Sequence, residues 1–165
     1  MSVQPVEQGE QPLSSRVAHI AGVLASGQFP TGDRAALRRM SLDQPIPLTF
    51  YRFAFRHLPD GWERRLPDWV TLVAGMAIMS PHIHRPDIGL GKALAQAGFS
   101  EARLERLLAA QGDTRRTLLL RVARFAAAKG TAFNWNDGAN LLLMTDTAKR
   151  EQLHLRIARD FYQNL

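Results

Sequence analysis

Apolar residues in this chain recur at steps of three and four, and nowhere over a useful length do they alternate with period two. Leu118, Val122 and Phe125 show the first spacing, as do Leu153, Ile157 and Phe161, and Leu104 with Leu107 and Leu108. That spacing lines one face of an α-helix, whereas a strand face needs every second residue. β-Branched residues are also sparse. The expected fold class is therefore all-α, a compact bundle of about eight to nine short helices. With 165 residues, 45% of them hydrophobic, the chain can bury a sizeable core. One domain overall is expected, divided into a disordered tail at 1–12, an N-terminal helical lobe at 13–98 and a C-terminal helical lobe at 99–165.

Local signals place the helices. Ser14 or Ser15 caps a first helix that runs to about Ser26. Asp33 caps Arg34–Met40, with Leu37 and Met40 toward the core. Pro45 and Pro47 break the chain before Leu48–Leu58, whose Phe50, Tyr51, Phe53 and Phe55 read as core rather than as a base-stacking platform. Pro67 suits the first position of the most apolar helix, Asp68–Met79, which is expected to be central. A Ser80–Asp87 loop follows, then Leu90–Ala97, and then Glu101–Ala110 capped by Ser100. Asp113 caps a longer helix ending at Gly130. Its expected core face is Leu118, Val122 and Phe125 with Leu119 and Ala126, and Arg121 and Arg124 project elsewhere. Asn136 or Asp137 opens a helix through Met144, and Thr145 or Asp146 caps the last.

Several chemistries find no support. Cysteine is absent, which removes disulfides, thiol nucleophiles and Cys-type zinc or iron–sulfur ligation. His82-x-His84 with Asp87 lies in a proline-bound loop without a further ligand, so a structural or surface role is expected. Glu151-x-x-His154 is half of a di-iron pattern that has no second copy, and it reads as a solvated helix face. Gly89-Leu90-Gly91-Lys92 departs from a phosphate loop at Pro86 and Ala93, although Lys92 in a first helical turn still suits a phosphate. No nucleophile elbow or paired-carboxylate arrangement stands out, so neither catalysis, a metal nor a cofactor is expected. A helix-turn-helix would have to join its helices through Gly130–Asn136, longer than the motif prefers. The longest apolar run, Trp69–Met79, falls short of the roughly 20 residues of a membrane span, and the first residues lack secretory-signal character. A soluble cytoplasmic protein is expected.

The net charge is +6, and arginine supplies 18 of the 21 basic residues. One reading is a genome rich in G and C; the other is a phosphate-binding surface, because the guanidinium fork matches phosphate. The charge is clustered. Seven basic residues and two acids fall between Arg103 and Lys129, and seven basic residues and three acids between Arg34 and Arg65. Such clustering is the electrostatic footprint of a nucleic-acid binder. Arg115 and Arg116 lie in a first helical turn, where the dipole disfavours cations. Either a nearby anion reverses that sign, or both side chains reach Asp113 or solvent.

The order of segments carries a resemblance. Gly32-Asp33-Arg34-Ala35-Ala36-Leu37-Arg38-Arg39 comes early, and Leu90-Gly91-Lys92-Ala93-Leu94 follows a His/Pro loop. Ser100-Glu101-x-Arg103-Leu104, Leu120-Arg121 and Lys129-Gly130 come next, and Ala158-Arg159-Asp160-Phe161-Tyr162 closes the chain. Over about residues 30–165 this resembles the CasB family, the small subunit of the type I-E CRISPR Cascade complex. The resemblance implies a non-catalytic helical subunit, present as two head-to-tail copies. Its implied partners are the backbone subunit CasC, the large subunit CasA, guide RNA and target DNA. It implies phosphate contacts at Arg38, Arg39, Lys92, Arg103 and Arg121. Arg116 and Arg124 join that set on charge alone. The family often has two adjacent basic residues where this chain has Arg121-Val122, with Arg124 two further on. The alternatives are a free-standing helical DNA- or RNA-binding regulator and a protein scaffold whose arginines reflect genome composition.

Overall fold

A computed structural model describes residues 11–165. Its helices are α1 (Leu13–Ala25), α2 (Thr31–Arg38), α3 (Leu48–His57), α4 (Leu66–Met79), α5 (Leu90–Gln96), α6 (Glu101–Ala109), α7 (Gly112–Lys129), α8 (Trp135–Leu143) and α9 (Thr147–Gln163). A 3-10 turn at Trp62–Arg65 leads into α4. No strand occurs among the described residues; a single parallel bridge joins His84 to Phe133. None of the described helices is long and apolar enough to cross a membrane.

α4 is the axis of the bundle. Eleven of its 14 residues are buried, and α7, α2, α8 and α1 pack around it. Each large apolar side chain buried there contributes about 1.5–3 kcal/mol. Close approach depends on two glycines. A Cβ on Gly91 of α5 would lie 2.1 Å from the Ile157 carbonyl oxygen, so α5 and α9 touch backbone to backbone. A Cβ on Gly75 of α4 would lie 2.7 Å from the Trp135 ring, which is fully buried. The α4–α7 and α5–α9 contacts run across the 98/99 boundary, and both halves share one hydrophobic cluster. The expected tail at 1–12 lies, for residues 1–10, outside the described residues.

Several local expectations are corrected. Pro12, not Ser14 or Ser15, precedes the first helical residue, and no side chain caps α1. α2 begins at Thr31, which puts Asp33 inside the first turn, where its carboxylate pairs with Arg52 at 2.9 Å. α7 begins at Gly112, so Asp113 is likewise a first-turn acid rather than a cap. α8 opens at Trp135, and the Asn134 side chain accepts the Asn136 N–H. Ser100 and Asp146 do cap α6 and α9, accepting from the Arg103 and Lys149 N–H groups. The buried stripe of α7 is Leu119, Val122, Ala123 and Ala126, whereas Leu118 and Phe125 are half-buried. Phe55 is 73% exposed and belongs to no core.

Candidate nucleic-acid interface

α2 and α7 lie on either side of the α4 carboxyl end, and their basic residues meet there. Arg38 and Arg124 line one groove of about 480 Å³, together with Ile78, Ser80, His82 and Thr131. A second groove shares Pro81, His82 and Gly130 with it and continues toward Gly22 and Ala25 of α1. Arg38 is fixed in place: Nε donates to the Ala77 carbonyl at 2.8 Å and Nη2 to the Ser80 carbonyl at 2.9 Å. The Ala77 carbonyl also accepts the Ser80 N–H at 3.2 Å, so the guanidinium adds a second donor at the end of α4 while its outer edge stays exposed. Arg34, one turn earlier, does the same for α1 by donating to the Leu24 and Ser26 carbonyls.

Arg121 and Arg124 stand three apart on the outward face of α7, opposite its buried stripe. Both are exposed, and neither has an ion-pair partner among the described residues. Arg39 is also exposed without such a partner, beside Arg38. Arg103 reaches α7 from its other flank. Its guanidinium lies 4.3 Å from the Phe99 ring centroid and 5.0 Å from that of Phe125, and Nε donates to Ser100 Oγ at 3.1 Å. Lys129 lies over the same Phe125 ring at 5.8 Å. The Arg103 plane is thus pre-positioned by aromatic contact, with donors left over.

Two of the sequence-derived residues fall outside this arrangement. Lys92 is half-buried on α5, and the Leu90 N–H at the start of that helix donates to Asp137 Oδ2 at 2.9 Å. A carboxylate already fills the place a phosphate would take. Arg116 is committed to acids: Nε pairs with buried Asp68 at 2.8 Å and Nη1 with Asp113 at 2.7 Å. Burial opposes its charge, but the Asp68 hydrogen bond and charge outweigh that, and its pKa lies above the ordinary arginine value. The local rule it breaks in sequence is therefore repaired inside the fold.

His84 is structural, because its Nδ1 accepts the Trp135 N–H at 3.0 Å. Burial lowers its pKa, partly offset by the Phe133 backbone. Asp87 pairs with Arg85 at 3.0 Å, away from any histidine pair. Among the described residues, no three His, Asp or Glu are placed to hold a metal ion. Sequence reasoning counted Lys129 in the basic cluster without naming it as a contact, did not place His82 beside the arginines, and missed Asp68 and Asp137 as buried organising carboxylates. A signal existed for Asp68, an acid in the first turn of the most apolar helix.

A family model described as CRISPR-associated protein Cse2 matches residues 33–162. A chain in the crystal structure of E. coli Cascade bound to a PAM-containing dsDNA target is 25% identical, with a TM-score of 0.64, over 91% of this chain and 96% of that one. No curated protein matches. The family match takes in α3 to α8 entire and most of α2 and α9. The chain belongs to the CRISPR-associated Cse2 family.

Proposed function

We propose that this chain is the non-catalytic small subunit of a Cascade-type surveillance complex in the cytoplasm. In this reading its exposed arginine face holds nucleic-acid backbone and stabilises the R-loop in antiviral defence. One observation carries the reading: Arg38 and Arg124, 86 positions apart in sequence, line one groove beside the outward face that holds Arg121. Exchanging a DNA duplex for a heteroduplex is nearly balanced, so sequence-independent contacts to the backbone suffice to tip it. Guanidinium groups without base-reading neighbours suit that task. The partners are the backbone and large subunits CasC and CasA, guide RNA and target DNA.

Two apolar faces of opposite charge support assembly. Leu48 and Phe55, 81% and 73% exposed, are seven apart on α3 beside Arg52 and Arg56. Leu155 and Tyr162 border a groove between α6 and α9 that also carries Glu101, Glu105 and Glu151. Two different complementary faces suit a second copy packed head to tail. The free-standing regulator fits less well. A recognition helix needs a free face, and six of the nine residues of α8 are buried.

Reconstitution of the guide complex tests this reading. R-loop lifetime on a supercoiled matched target is measured without the chain, with it, and with an Arg121→Glu/Arg124→Glu variant. The expected result is a longer lifetime with wild type and no gain with a variant that still assembles. A wild-type chain that neither joins the complex nor changes the lifetime overturns the reading and favours the regulator.

A further inference from the structure

An imidazole pair ties α1 to α3. His19 Nε2 and His57 Nδ1 lie 3.0 Å apart, one hydrogen bond, and the ring centroids are 5.1 Å apart. Beside them Arg16 Nη1 donates to the His57 carbonyl at 3.1 Å, so α1 also holds the last residue of α3. Little else joins these two helices: α1 packs mainly on α8 and α4, and α3 on α2. The His57 ring packs on Phe53 at 4.8 Å, and Phe53 meets Phe29 of the α1–α2 loop edge to face at 6.2 Å. His19 borders a groove of about 510 Å³ with Gln28, Phe29 and Pro30. His57 borders a smaller one of about 140 Å³ with Phe29, Pro30, Asp33 and Arg56. His19 is exposed and His57 half-buried, so protons from solvent reach the pair.

The charged groups around the pair are mostly cations. α1 supplies Arg16, whose Nε is buried with no hydrogen-bond partner among the described residues. α3 supplies Arg52 and Arg56. The one acid lining the smaller groove is Asp33 of α2, and it pairs with Arg52 at 2.9 Å. The α1–α2 loop faces His19 with uncharged Gln28, Phe29 and Pro30. Burial lowers the His57 pKa below 6.5, and the charges of His19, Arg56 and Arg16 lower it further. An N–H···N bond needs one facing nitrogen that is bare. A neutral imidazole has one N–H and one bare nitrogen, so a single added proton still leaves an acceptor. A second proton turns two N–H groups toward each other and puts two positive rings side by side. The pair thus titrates in two steps, and only the second breaks the bond.

We propose that His19 and His57 form a latch that holds the last turn of α3 on α1 and that acid opens by protonating both rings. That turn carries Phe55 and Arg56, part of the exposed basic face of α3. Neither histidine belongs to the buried hydrophobic cluster, so the latch opens without disrupting the core around α4. Because burial and the neighbouring cations lower the His57 pKa, the latch is complete above pH 6.5 and is lost as pH falls below that through the lower folded value. It is a property of the chain by itself and stands whatever the α3 face binds.

The test is amide hydrogen exchange of the full chain between about pH 7.5 and pH 4.5, corrected for the intrinsic rate at each pH. Ring-nitrogen NMR follows the protonation of each imidazole in parallel. In wild type, protection in the last turn of α3 is expected to fall by about fivefold once both rings are protonated, the loss of one hydrogen bond. His57→Phe keeps a ring against Phe53 and removes the latch, so its protection in that turn is low at every pH. His19→Gln keeps an amide that can donate or accept and takes up no proton, so its protection stays high. His84→Asn shows the wild-type fall, which separates this latch from the loop that His84 braces. Circular dichroism checks that each variant is folded. Unchanged wild-type protection with both rings protonated overturns the proposal, as does a second ring that stays neutral down to pH 4.5. A folded His57→Phe that loses protection in acid as wild type does would overturn it as well. Loss of R-loop stabilisation by the Arg121→Glu/Arg124→Glu variant would leave the latch untouched, so the two readings fail separately.

Discussion

Arg116 and Arg121 sit five residues apart on one helix and do opposite work. Arg116 is 19% exposed and bridges Asp68 and Asp113, holding α7 to α4. Arg121 is exposed and has no ion partner among the described residues. The residue type is the same; what differs is whether a neighbouring helix offers a buried carboxylate. Arg38 shows the intermediate case. Part of its fork closes the end of α4, and the rest faces the groove it shares with Arg124. Count of arginines therefore says little about a binding surface until the structural ones are subtracted.

The contrast makes graded predictions. Asp68→Ala leaves Arg65 and Arg116 facing each other across an empty buried site and should cost about 3–5 kcal/mol in urea unfolding, typical of breaking a buried pair. A cost within about 0.5 kcal/mol, the usual range for a surface change, would erase the distinction between the two regions. Arg38→Gln removes two charged hydrogen bonds to carbonyls and should cost about 1–3 kcal/mol, while also weakening binding at the groove. Unchanged stability would make Arg38 purely a surface residue.

Acid should act on the loop that frames the groove. His84 accepts the Trp135 N–H only when its imidazole is neutral, and burial lowers its pKa below 6.5. The unfolded chain therefore takes up this proton first. The His84 contribution is complete above pH 6.5 and is lost as pH falls below it through the lower folded value. Urea unfolding at pH 7.5 and at pH 5.5 should show a loss in wild type that His84→Asn, which keeps an acceptor, reduces. An equal loss in both proteins would remove His84 as the cause. The smallest stability effect is expected for Arg121→Gln/Arg124→Gln, within about 0.5 kcal/mol, as for other surface changes.

The all-α class and the order of the nine helices among the described residues were legible because the apolar steps of three and four repeat in nearly every element. The buried face of α7 was misjudged for a physical reason. Hydrophobicity ranks Phe125 above Ala123, but α4 lies against the side carrying Ala123 and Ala126, and Phe125 packs outward on Phe99 with centroids 5.1 Å apart. The candidate surface was half legible. The charge on α2 and α7 is visible in the chain, and the pairing of Arg38 with Arg124 is a product of tertiary packing alone. Arg116 reaches Asp113, one of the two outcomes left open by the sequence, and its second partner, Asp68, was not legible because it lies 48 positions away. The acid at the start of α5, beside Lys92, was not legible because it comes from α8.

The central claim is that unpaired arginines on the outward face of α7 neutralise nucleic-acid phosphates in the assembled complex. The direct measurement is the salt dependence of target-DNA binding by that complex, with wild type and with Arg121→Gln/Arg124→Gln. Each lost phosphate contact should lower the slope of log affinity against log salt by about 0.7–0.9, so the double variant should fall by about 1.5 in total. A slope identical to wild type, in a variant that assembles normally, would contradict the claim.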